Sequence, residues 1–579
     1  MPRSVRRAGR AGRATPSKGG DTGTAPQHLS LEDAVAAHVR QGETVQVLCG
    51  HSRWTAAARE LVRQHWGSDA GFTLVMLSLS SLGALFFQGR MVRKVITTYS
   101  GDTFPTYTPN PVFQRAYTAG DVEVEHWSIL TFAQRLEAAA RGLPAVVTGS
   151  VYGSSMQANA AFTVVDTEFG AVGLLAPLAP DVTLVHGAVA DADGNVALSE
   201  PLLEGVWGAW AARRGVVATV ERVVDRLDGL GHRVKIPAHR VLAVAQAPYG
   251  AHPGGLYAPG LPVTGYGEDI PFWTETRAAT RGDFDAWARR WVLAPATQDA
   301  YVAQLGADRL AWLESRTDPA SWRADADAHP VDEAAPVTEW ERAAAYGARE
   351  IEAVSAAVDA DAVLAGAGVA NLAAWVAVGR ARARGSKVQL TAELGLWGYQ
   401  PTPADPYIFN HRVFPGSTLL ADASTVLGMV VGGPGTRTVG CLGAAQVDRH
   451  GNLNSTCIPG GPFLVGSGGA NDVASRATAC VVLSLARRER LLAEVGYVTS
   501  PGARVQSIVT DLGVLRRLDG VFRIAAVPEE GPPQRSVEAL AAACAWDVEI
   551  AREIEQLDPV TLDEVLALRR YDPERLFLA

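Results

Sequence analysis

Cysteine is scarce in this chain of 579 residues. The five cysteines lie far apart and form no CxxC pair: Cys49, Cys441, Cys457, Cys480 and Cys544. Such spacing supports neither a disulfide framework nor a metal site of the Cys/His type. Cys441 and Cys457 flank a Gly-Asn turn and are interpreted as small core thiols. We therefore expect a cytoplasmic protein without a metal site.

Long hydrophobic runs and an excess of positive charge are also missing. No apolar run approaches the ~18 residues that a membrane span needs. The formal net charge is −9, which argues against general nucleic-acid binding. We expect neither a membrane nor a nucleic acid as a partner. The chain also lacks a P-loop lysine motif, a G-x-S-x-G elbow and an HExxH motif.

The composition is otherwise that of a soluble globular protein with a large core, with 47% apolar and 20% charged residues. The first 30 residues differ, because arginines are scattered there among Gly, Ala, Ser and Thr. No apolar stretch follows Arg6-Arg7, so this segment is not a secretion signal. We predict a disordered basic tail over residues 1–30, and an arm that binds polyanions is the alternative.

Helix and strand patterns alternate along the rest of the chain, which predicts a parallel, doubly wound α/β sheet. Ser30 and Asp33 mark the start of a first helix. A helix, an apolar strand, a glycine turn and a second helix occupy residues 31–65, and the same order returns at residues 340–384. Residues 219–226 are predicted to form a helix.

A shorter repeat supports two related halves. The sequence Asp191-Ala192-Asp193-Gly194-Asn195 corresponds to Asp448-Arg449-His450-Gly451-Asn452, and a Gly-Asn pair suits a turn with positive φ. Residues 316–337 contain three prolines and are the predicted linker. The predicted fold class is therefore α/β, with two related doubly wound, mostly parallel domains in tandem, over residues 31–315 and 338–579.

One stretch of the second half combines an apolar strand with a carboxylate. Residues 388–395 read Val-Gln-Leu-Thr-Ala-Glu-Leu-Gly, so that Glu393 ends a β-prone run just before Gly395 and Gly398. A glutamate at the end of a strand can be held firmly and still face a cleft. A solvated turn residue is the alternative interpretation.

A glycine-rich run follows downstream, where residues 466–472 read Gly-Ser-Gly-Gly-Ala-Asn-Asp. Glycines let backbone N–H groups approach a ligand closely, although a plain tight loop would have the same composition. A fixed carboxylate with N–H donors nearby offers acyl transfer a nucleophile and an oxyanion site.

A dinucleotide site is the main rival interpretation. Gly366-x-Gly368-x-x-Asn371 follows a strand and opens a helix, and Glu393 lies 27 residues beyond Gly366, near where a ribose-binding acid would be expected. The third glycine is missing, however, and this interpretation leaves residues 466–472 unexplained.

Together these motifs resemble a family I CoA-transferase of the glutaconate CoA-transferase type, with the α-subunit (residues 31–315) and the β-subunit (residues 338–579) fused in one polypeptide. The matching stretches are 94–99, 122–128, 132–136, 191–196 and 250–255 in the first half, and 391–395, 443–456, 466–472 and 509–514 in the second.

The resemblance implies that Glu393 is the nucleophile, which attacks an acyl-CoA thioester and then carries CoA as a glutamyl thioester. A carboxylate needs no base for this, because it is ionised at neutral pH. Coenzyme A would be a co-substrate, with no metal or further cofactor. The predicted oxyanion and CoA-binding residues are Gly466, Gly468, Gly469, Ala470 and Asn471, with N–H groups of Gly468, Gly469 and Ala470 as donors.

The substrate pocket is expected at the junction of the two halves. Its predicted residues are His51, Gly250, His252, Gly254 and Gly395. For His252, a loop histidine held by hydrogen bonds is the alternative. Two positions depart from the relatives: Leu394 stands where they have Ser or Asn, and residues 50–54 replace a turn that is often rich in glycine.

The expected activity is transfer of CoA between an acyl-CoA and a carboxylic acid, by a homo-oligomer. An acyl-CoA hydrolase or a ring-cleaving hydrolase of CoA thioesters on the same fold is the alternative, and a CoA-ester sensor is a non-enzymatic one. Some hydrolytic relatives lack the glutamate and the intact glycine run. Because this chain keeps both, transfer is favoured.

Overall fold

The structure of the protein is a computed structural model that describes residues 25–48, 55–529 and 532–579. Most of the predicted basic tail, Cys49 and His51 lie outside these ranges. Among the described helices, none combines the length and the apolar character that crossing a bilayer requires.

The first half alternates strands with helices. Its strands are β1 (Gln27–His28), β2 (Thr44–Leu48), β3 (Phe72–Val75), β4 (Val92–Thr97), β5 (Glu123–His126), β6 (Val146–Thr148), β7 (Phe162–Thr167), β8 (Gly170–Leu175), β9 (Val182–Asp191), β10 (Val196–Ala197), β11 (Gly215–Val224), β12 (Val234–Ile236) and β13 (Val241–Gln246). Its helices are α1 (Leu31–His38), α2 (Ala56–His65), α3 (Ser80–Gln88), α4 (Pro111–Ala119), α5 (Ile129–Ala140), α6 (Trp207–Ala211), α7 (Ile270–Arg281), α8 (Phe284–Ala288), α9 (Gln298–Leu305) and α10 (Ala307–Ser315).

A short helix, α11 (Trp322–Ala328), lies in the linker. The second half has strands β14 (Ala362–Ala365), β15 (Gln389–Ala392), β16 (Leu396–Trp397), β17 (Leu419–Leu420), β18 (Thr438–Gly443), β19 (Gln446–Asp448), β20 (Leu453–Asn454), β21 (Ala479–Leu483), β22 (Leu491–Leu492), β23 (Val505–Thr510), β24 (Gly513–Leu518), β25 (Val521–Pro528) and β26 (Glu549–Leu557). Its helices are α12 (Glu339–Ala357), α13 (Val369–Ala383), α14 (Ala470–Arg476), α15 (Pro533–Ala543) and α16 (Leu562–Arg569).

Each half is built on a ten-stranded sheet. The first runs β1-β13-β11-β9-β2-β3-β4-β5, all parallel, with β10 and β12 attached antiparallel to its side. The second runs β17-β16-β15-β14-β18-β21-β23-β24-β25-β26 and is parallel from β15 to β23. The predicted class of two mostly parallel α/β domains in tandem is therefore confirmed.

The repeated turns have the same hydrogen bonds in both halves. The Asp191 carboxylate accepts from the backbone N–H of Asn195 at 2.8 Å, and the Asp448 carboxylate accepts from that of Asn452 at 2.9 Å. A glycine precedes each Asn and has positive φ, as the Gly-Asn signal predicts.

Two local expectations are corrected, and a third is confirmed. Residues 219–226 lie mostly in β11, because this strand pairs with β9 on one side and β13 on the other, and tertiary pairing outweighs helical spacing. The tail does not reach residue 30, since Gln27–His28 pairs with β13. The first helix starts as predicted, with the Ser30 hydroxyl accepting from Asp33 N at 3.0 Å.

The hydrophobic core joins the two halves. One cluster of buried side chains contains Trp127, Leu130 and Phe132 from the first half together with Trp375 and Leu390 from the second. A second cluster lies between the sheet and the helices of the first half. The halves therefore share a continuous apolar interface, and a site between them has fixed walls.

Candidate active site

Glu393 follows the last residue of β15, at the carboxyl edge of the second sheet. The chain turns back at once into β16, and Gly395 makes this possible with φ of 111°. A Cβ at Gly395 would lie 2.4 Å from the Ala421 carbonyl oxygen. Gly395 serves this turn and is not among the residues that line the described cleft, and its place in the pocket stays a prediction.

The glycine-rich run joins the second half to the first. Gly466 forms a bridge with Tyr99, and a Cβ there would lie 2.6 Å from the Thr98 carbonyl oxygen. Gly468 donates its N–H to that same oxygen at 3.0 Å, and its own carbonyl accepts from Ile129 N at 3.1 Å. Gly466 is required because two backbones approach closely here, whereas Gly468 adopts a positive φ of 51°.

Gly469 is the donor that faces the carboxylate. Its N–H donates to Oε2 of Glu393 at 3.0 Å. The other two predicted donors are engaged elsewhere, because Gly468 N–H binds Thr98 and Ala470 N–H binds the Ser467 carbonyl. The predicted set of three N–H donors therefore reduces to one.

The end of the run joins the second half to the first through buried hydrogen bonds. Asn471 is fully buried, where its amide accepts from Val151 N at 2.8 Å and donates to the Thr499 carbonyl at 2.9 Å. Asp472 accepts from the Ser128 hydroxyl at 2.6 Å. Asn471 is not among the residues that line the described cleft, and its contact with CoA stays a prediction.

A cleft of about 580 Å³ opens in front of Glu393 at the junction of the two halves. The first half contributes Thr98, Tyr99, Tyr107 and Ile129; the second contributes Gly366, Gly368, Phe409, Ser467 and Phe577. Gly366 and Gly368, which suggested a dinucleotide site, thus belong to the same cleft as Glu393. The cleft also lies near the carboxyl ends of β14 and β18, where chain order reverses, as is usual for ligand sites in such sheets.

Burial changes the protonation of Glu393. Burial, assisted by the charge of Asp472 and opposed by the Gly469 N–H, raises the pKa of the Glu393 carboxyl to about 7. Burial likewise raises the pKa of Asp472 to about 6. Glu393 is therefore only about half ionised near pH 7, whereas the sequence predicted full ionisation. A higher pKa accompanies a more basic and more nucleophilic carboxylate.

The loop at residues 250–255 does not reach the described wall of this cleft. His252 is fully buried between the Tyr301 hydroxyl at 2.7 Å and the Asp269 carboxylate at 2.9 Å, and burial lowers the pKa of its imidazole. It is the hydrogen-bonded loop histidine of the alternative interpretation. Gly250 packs against His186, and Gly254 is buried. Their predicted pocket role is not supported by these contacts.

Two further positions complete the comparison with the sequence. Leu394 points into the core and is 3% exposed, so it puts no polar group beside Glu393. His51 lies outside the described residues, and its place in the pocket stays a prediction. The described residues contain no cluster of three or more His, Cys, Asp or Glu side chains arranged for a metal ion.

The sequence did not point to Tyr107 or Phe577 as part of the cleft. Tyr107 lies in the loop after β4, and Phe577 lies in a segment more than 180 residues beyond Glu393. The Asp572 carboxylate holds that segment by accepting from Leu576 N and Phe577 N, both at 2.8 Å. No local sequence motif predicts such long-range contacts.

Fold and site together define an α/β enzyme in which the carboxylate of Glu393 lies in a cleft between two related domains. The sequence profile of the Coenzyme A transferase family matches residues 28–247 and 351–522. The chain belongs to this family and is a CoA-transferase with its two subunit-like parts fused.

Known proteins resemble both parts. Over 316 residues the chain is 28% identical to one of the two glutaconate CoA-transferase subunits of Acidaminococcus fermentans, and the match covers 49% of this chain and 92% of that protein. Over 169 residues it is 27% identical to the other subunit of the same enzyme, and this match covers 24% of this chain and 60% of that protein. The structure of an acyl-CoA transferase of Escherichia coli O157:H7, a thioester complex with CoA, has a TM-score of 0.63 and 14% identity over 92% of this chain and 95% of that one, a likeness of fold.

Proposed function

We propose that the enzyme transfers CoA from an acyl-CoA to a carboxylic acid through a glutamyl-CoA thioester on Glu393. The observation that carries this proposal is the hydrogen bond from Gly469 N–H to Oε2 of Glu393, inside a cleft built by both halves. Membership of the CoA-transferase family supports the overall reaction.

The steps follow from the bonds exchanged. An oxygen of Glu393 attacks the acyl carbon, the C–S bond breaks, and CoA thiolate leaves a mixed anhydride behind. The thiolate then attacks Cδ of Glu393, which breaks the bond from Cδ to the bridging oxygen and releases the donor acid. The acceptor carboxylate repeats both steps in reverse. Coenzyme A takes part as a co-substrate, and no other cofactor is needed.

Gly469 has a defined role in these steps. When thiolate attacks Cδ, the negative charge develops on the glutamyl oxygen that remains, and Gly469 N–H is placed to stabilise it as an oxyanion. The burial that raises the pKa of Glu393 also removes water that would compete with the thiolate.

The test is to trap the intermediate. Acyl-CoA without acceptor should leave CoA on Glu393, because anhydride and thioester carbonyls are of similar reactivity. Borohydride should reduce this thioester to an alcohol, which peptide mass spectrometry should locate at residue 393. Glu393→Gln should lose both the adduct and transfer, while the control Glu494→Gln should keep both, since Glu494 is an exposed partner of Arg449. An adduct on another residue would refute the proposal.

The hydrolytic alternative is distinguished by isotope. In water labelled with oxygen-18 and with acceptor present, transfer should leave the released acid unlabelled, because its oxygen comes from Glu393 and is replaced from the acceptor. A hydrolase would label the acid. Oligomeric state stays a prediction, which sedimentation of the full chain would measure.

A further inference from the structure

The cleft needs a second donor. Reaction passes through an oxyanion at Cδ of Glu393 and through another at the acyl carbon of the substrate, and each needs hydrogen-bond donors. Gly469 N–H lies on the glutamyl oxygen. The N–H groups of Gly468 and Ala470 already donate within the protein. The acyl carbonyl must therefore find its donor elsewhere in the cleft.

Tyr107 has the required position and support. Its ring stacks on Phe577 with centroids 6.3 Å apart and planes 11° apart. Tyr99 and Phe409 contact it edge-on, at 6.2 Å and 6.5 Å. Rings on three sides restrict the orientation of the phenol in the same cleft as Glu393. A side chain fixed in this way loses little entropy when its hydroxyl binds a substrate.

The Tyr107 hydroxyl is also available. It has no hydrogen-bond partner within the part of the chain that the structure describes. The neighbouring Tyr99 differs, because its hydroxyl donates to the Asp102 carbonyl at 2.7 Å. Burial, with the charges of Glu393 and Glu268 among smaller contributions, raises the pKa of Tyr107 well above its usual value. The phenol therefore keeps its proton and can donate it in a hydrogen bond without carrying a charge.

We propose that the Tyr107 hydroxyl donates a hydrogen bond to the acyl carbonyl oxygen of the bound thioester and to the oxyanion that forms when Glu393 attacks. As the new C–O bond forms, the carbonyl electron pair moves onto this oxygen. When the pair returns, the C–S bond breaks and CoA thiolate leaves, while Tyr107 keeps its proton throughout. The assignment rests on the proposed glutamyl mechanism.

The variant Tyr107→Phe removes the hydroxyl and keeps the stacked ring. We expect the single-turnover rate of thioester formation on Glu393, measured by quench and mass spectrometry without acceptor, to fall by ~10²–10³-fold. KM for acyl-CoA and the melting temperature should change little. The matched control is Tyr117→Phe, which removes a hydroxyl that donates to Ser100 Oγ at 2.8 Å outside the cleft, and it should react at the wild-type rate.

A second substitution tests the assignment to Tyr107 even if Tyr107→Phe does not fold. Incorporation of 3-fluorotyrosine at position 107 keeps the hydroxyl and makes it a stronger donor, so thioester formation should be at least as fast as in the wild type. A wild-type rate in folded Tyr107→Phe, or a slow fluorotyrosine enzyme, would overturn the assignment to Tyr107. Absence of any adduct on Glu393 in the wild type would instead overturn the proposed mechanism, so the two failures are distinct.

Discussion

The two halves share one strand order, but Glu393 and its hydrogen-bond donor Gly469 both lie in the second half. The strand order β13-β11-β9-β2-β3 of the first half corresponds to β23-β21-β18-β14-β15 of the second. The repeated turns also make equivalent hydrogen bonds to other segments. Asn195 Oδ1 accepts from Ala238 N at 3.0 Å, and Asn452 Oδ1 accepts from Gly502 N at 2.9 Å. Both halves thus keep the same scaffold.

The position of Glu393 has a counterpart in the first half. In the first sheet Gln46 pairs with Val75 on one side and Thr183 on the other. In the second sheet Leu364 pairs in the same way with Thr391 and Gly440. By this alignment, Leu77 follows β3 where Glu393 follows β15. Leu77 is 1% exposed and packs in the shared core. The same backbone position therefore carries an apolar core side chain in one half and, in the other, the carboxylate that we propose as the nucleophile.

The largest effect on turnover should come from adding a side chain at Gly469, next to the Glu393 carboxylate. In Gly469→Ala the new Cβ would lie 2.1 Å from Oε2 of Glu393. The carboxylate is the tip of a flexible side chain and can move away, so the fold should survive while its alignment with the donor is lost. We expect kcat to fall by ~10²–10³-fold with little change in melting temperature.

The control for this variant is Gly379→Ala on α13, where an added Cβ meets nothing within 4 Å. It should keep kcat and raise the free energy of unfolding by about 0.5–1 kcal/mol, because alanine favours a helix interior. Normal turnover in a folded Gly469→Ala enzyme would show that Gly469 does not place the carboxylate.

A moderate effect of pH on the reaction rate is expected, because Glu393 titrates. Its counterpart Leu77 carries no charge at any pH. The attacking form is the carboxylate, and burial raises the pKa of Glu393 to about 7. The rate of thioester formation should therefore rise with pH and level off above about 7, falling about tenfold for each pH unit well below it. Stopped-flow or quench measurements across this range test it. A rate independent of pH between about 5.5 and 8 would contradict the raised pKa.

The smallest effect tests the shared scaffold. Asn195→Ala and Asn452→Ala each remove side-chain hydrogen bonds within a turn. They also remove a hydrogen bond to the segment that precedes β13 or β23, respectively. Each should lower the free energy of unfolding by ~1–3 kcal/mol, because buried partners are left unsatisfied. Chemical denaturation of the two variants measures this. A loss in one half only would show that the corresponding turns are not equivalent in energy.

The sequence alone was sufficient for the features that depend on local pattern. Apolar strands that alternate with helices predicted two parallel α/β domains, and the Gly-Asn pair predicted both repeated turns. Glu393 stood out because a carboxylate ended a β-prone run, and Gly469 because glycines clustered. Each of these signals lies within a few neighbouring residues.

Only the tertiary structure decided which groups meet at the cleft. Asn471 and Asp472 hydrogen-bond to the first half, and His252 is enclosed by Tyr301 of α9 and by Asp269, the residue before α7. Burial and the charge of Asp472 set the pKa of Glu393, while Phe577 came to the cleft from a remote segment. Burial, close backbone approach and the competition for each N–H depend on contacts between residues far apart in sequence, which no local pattern records.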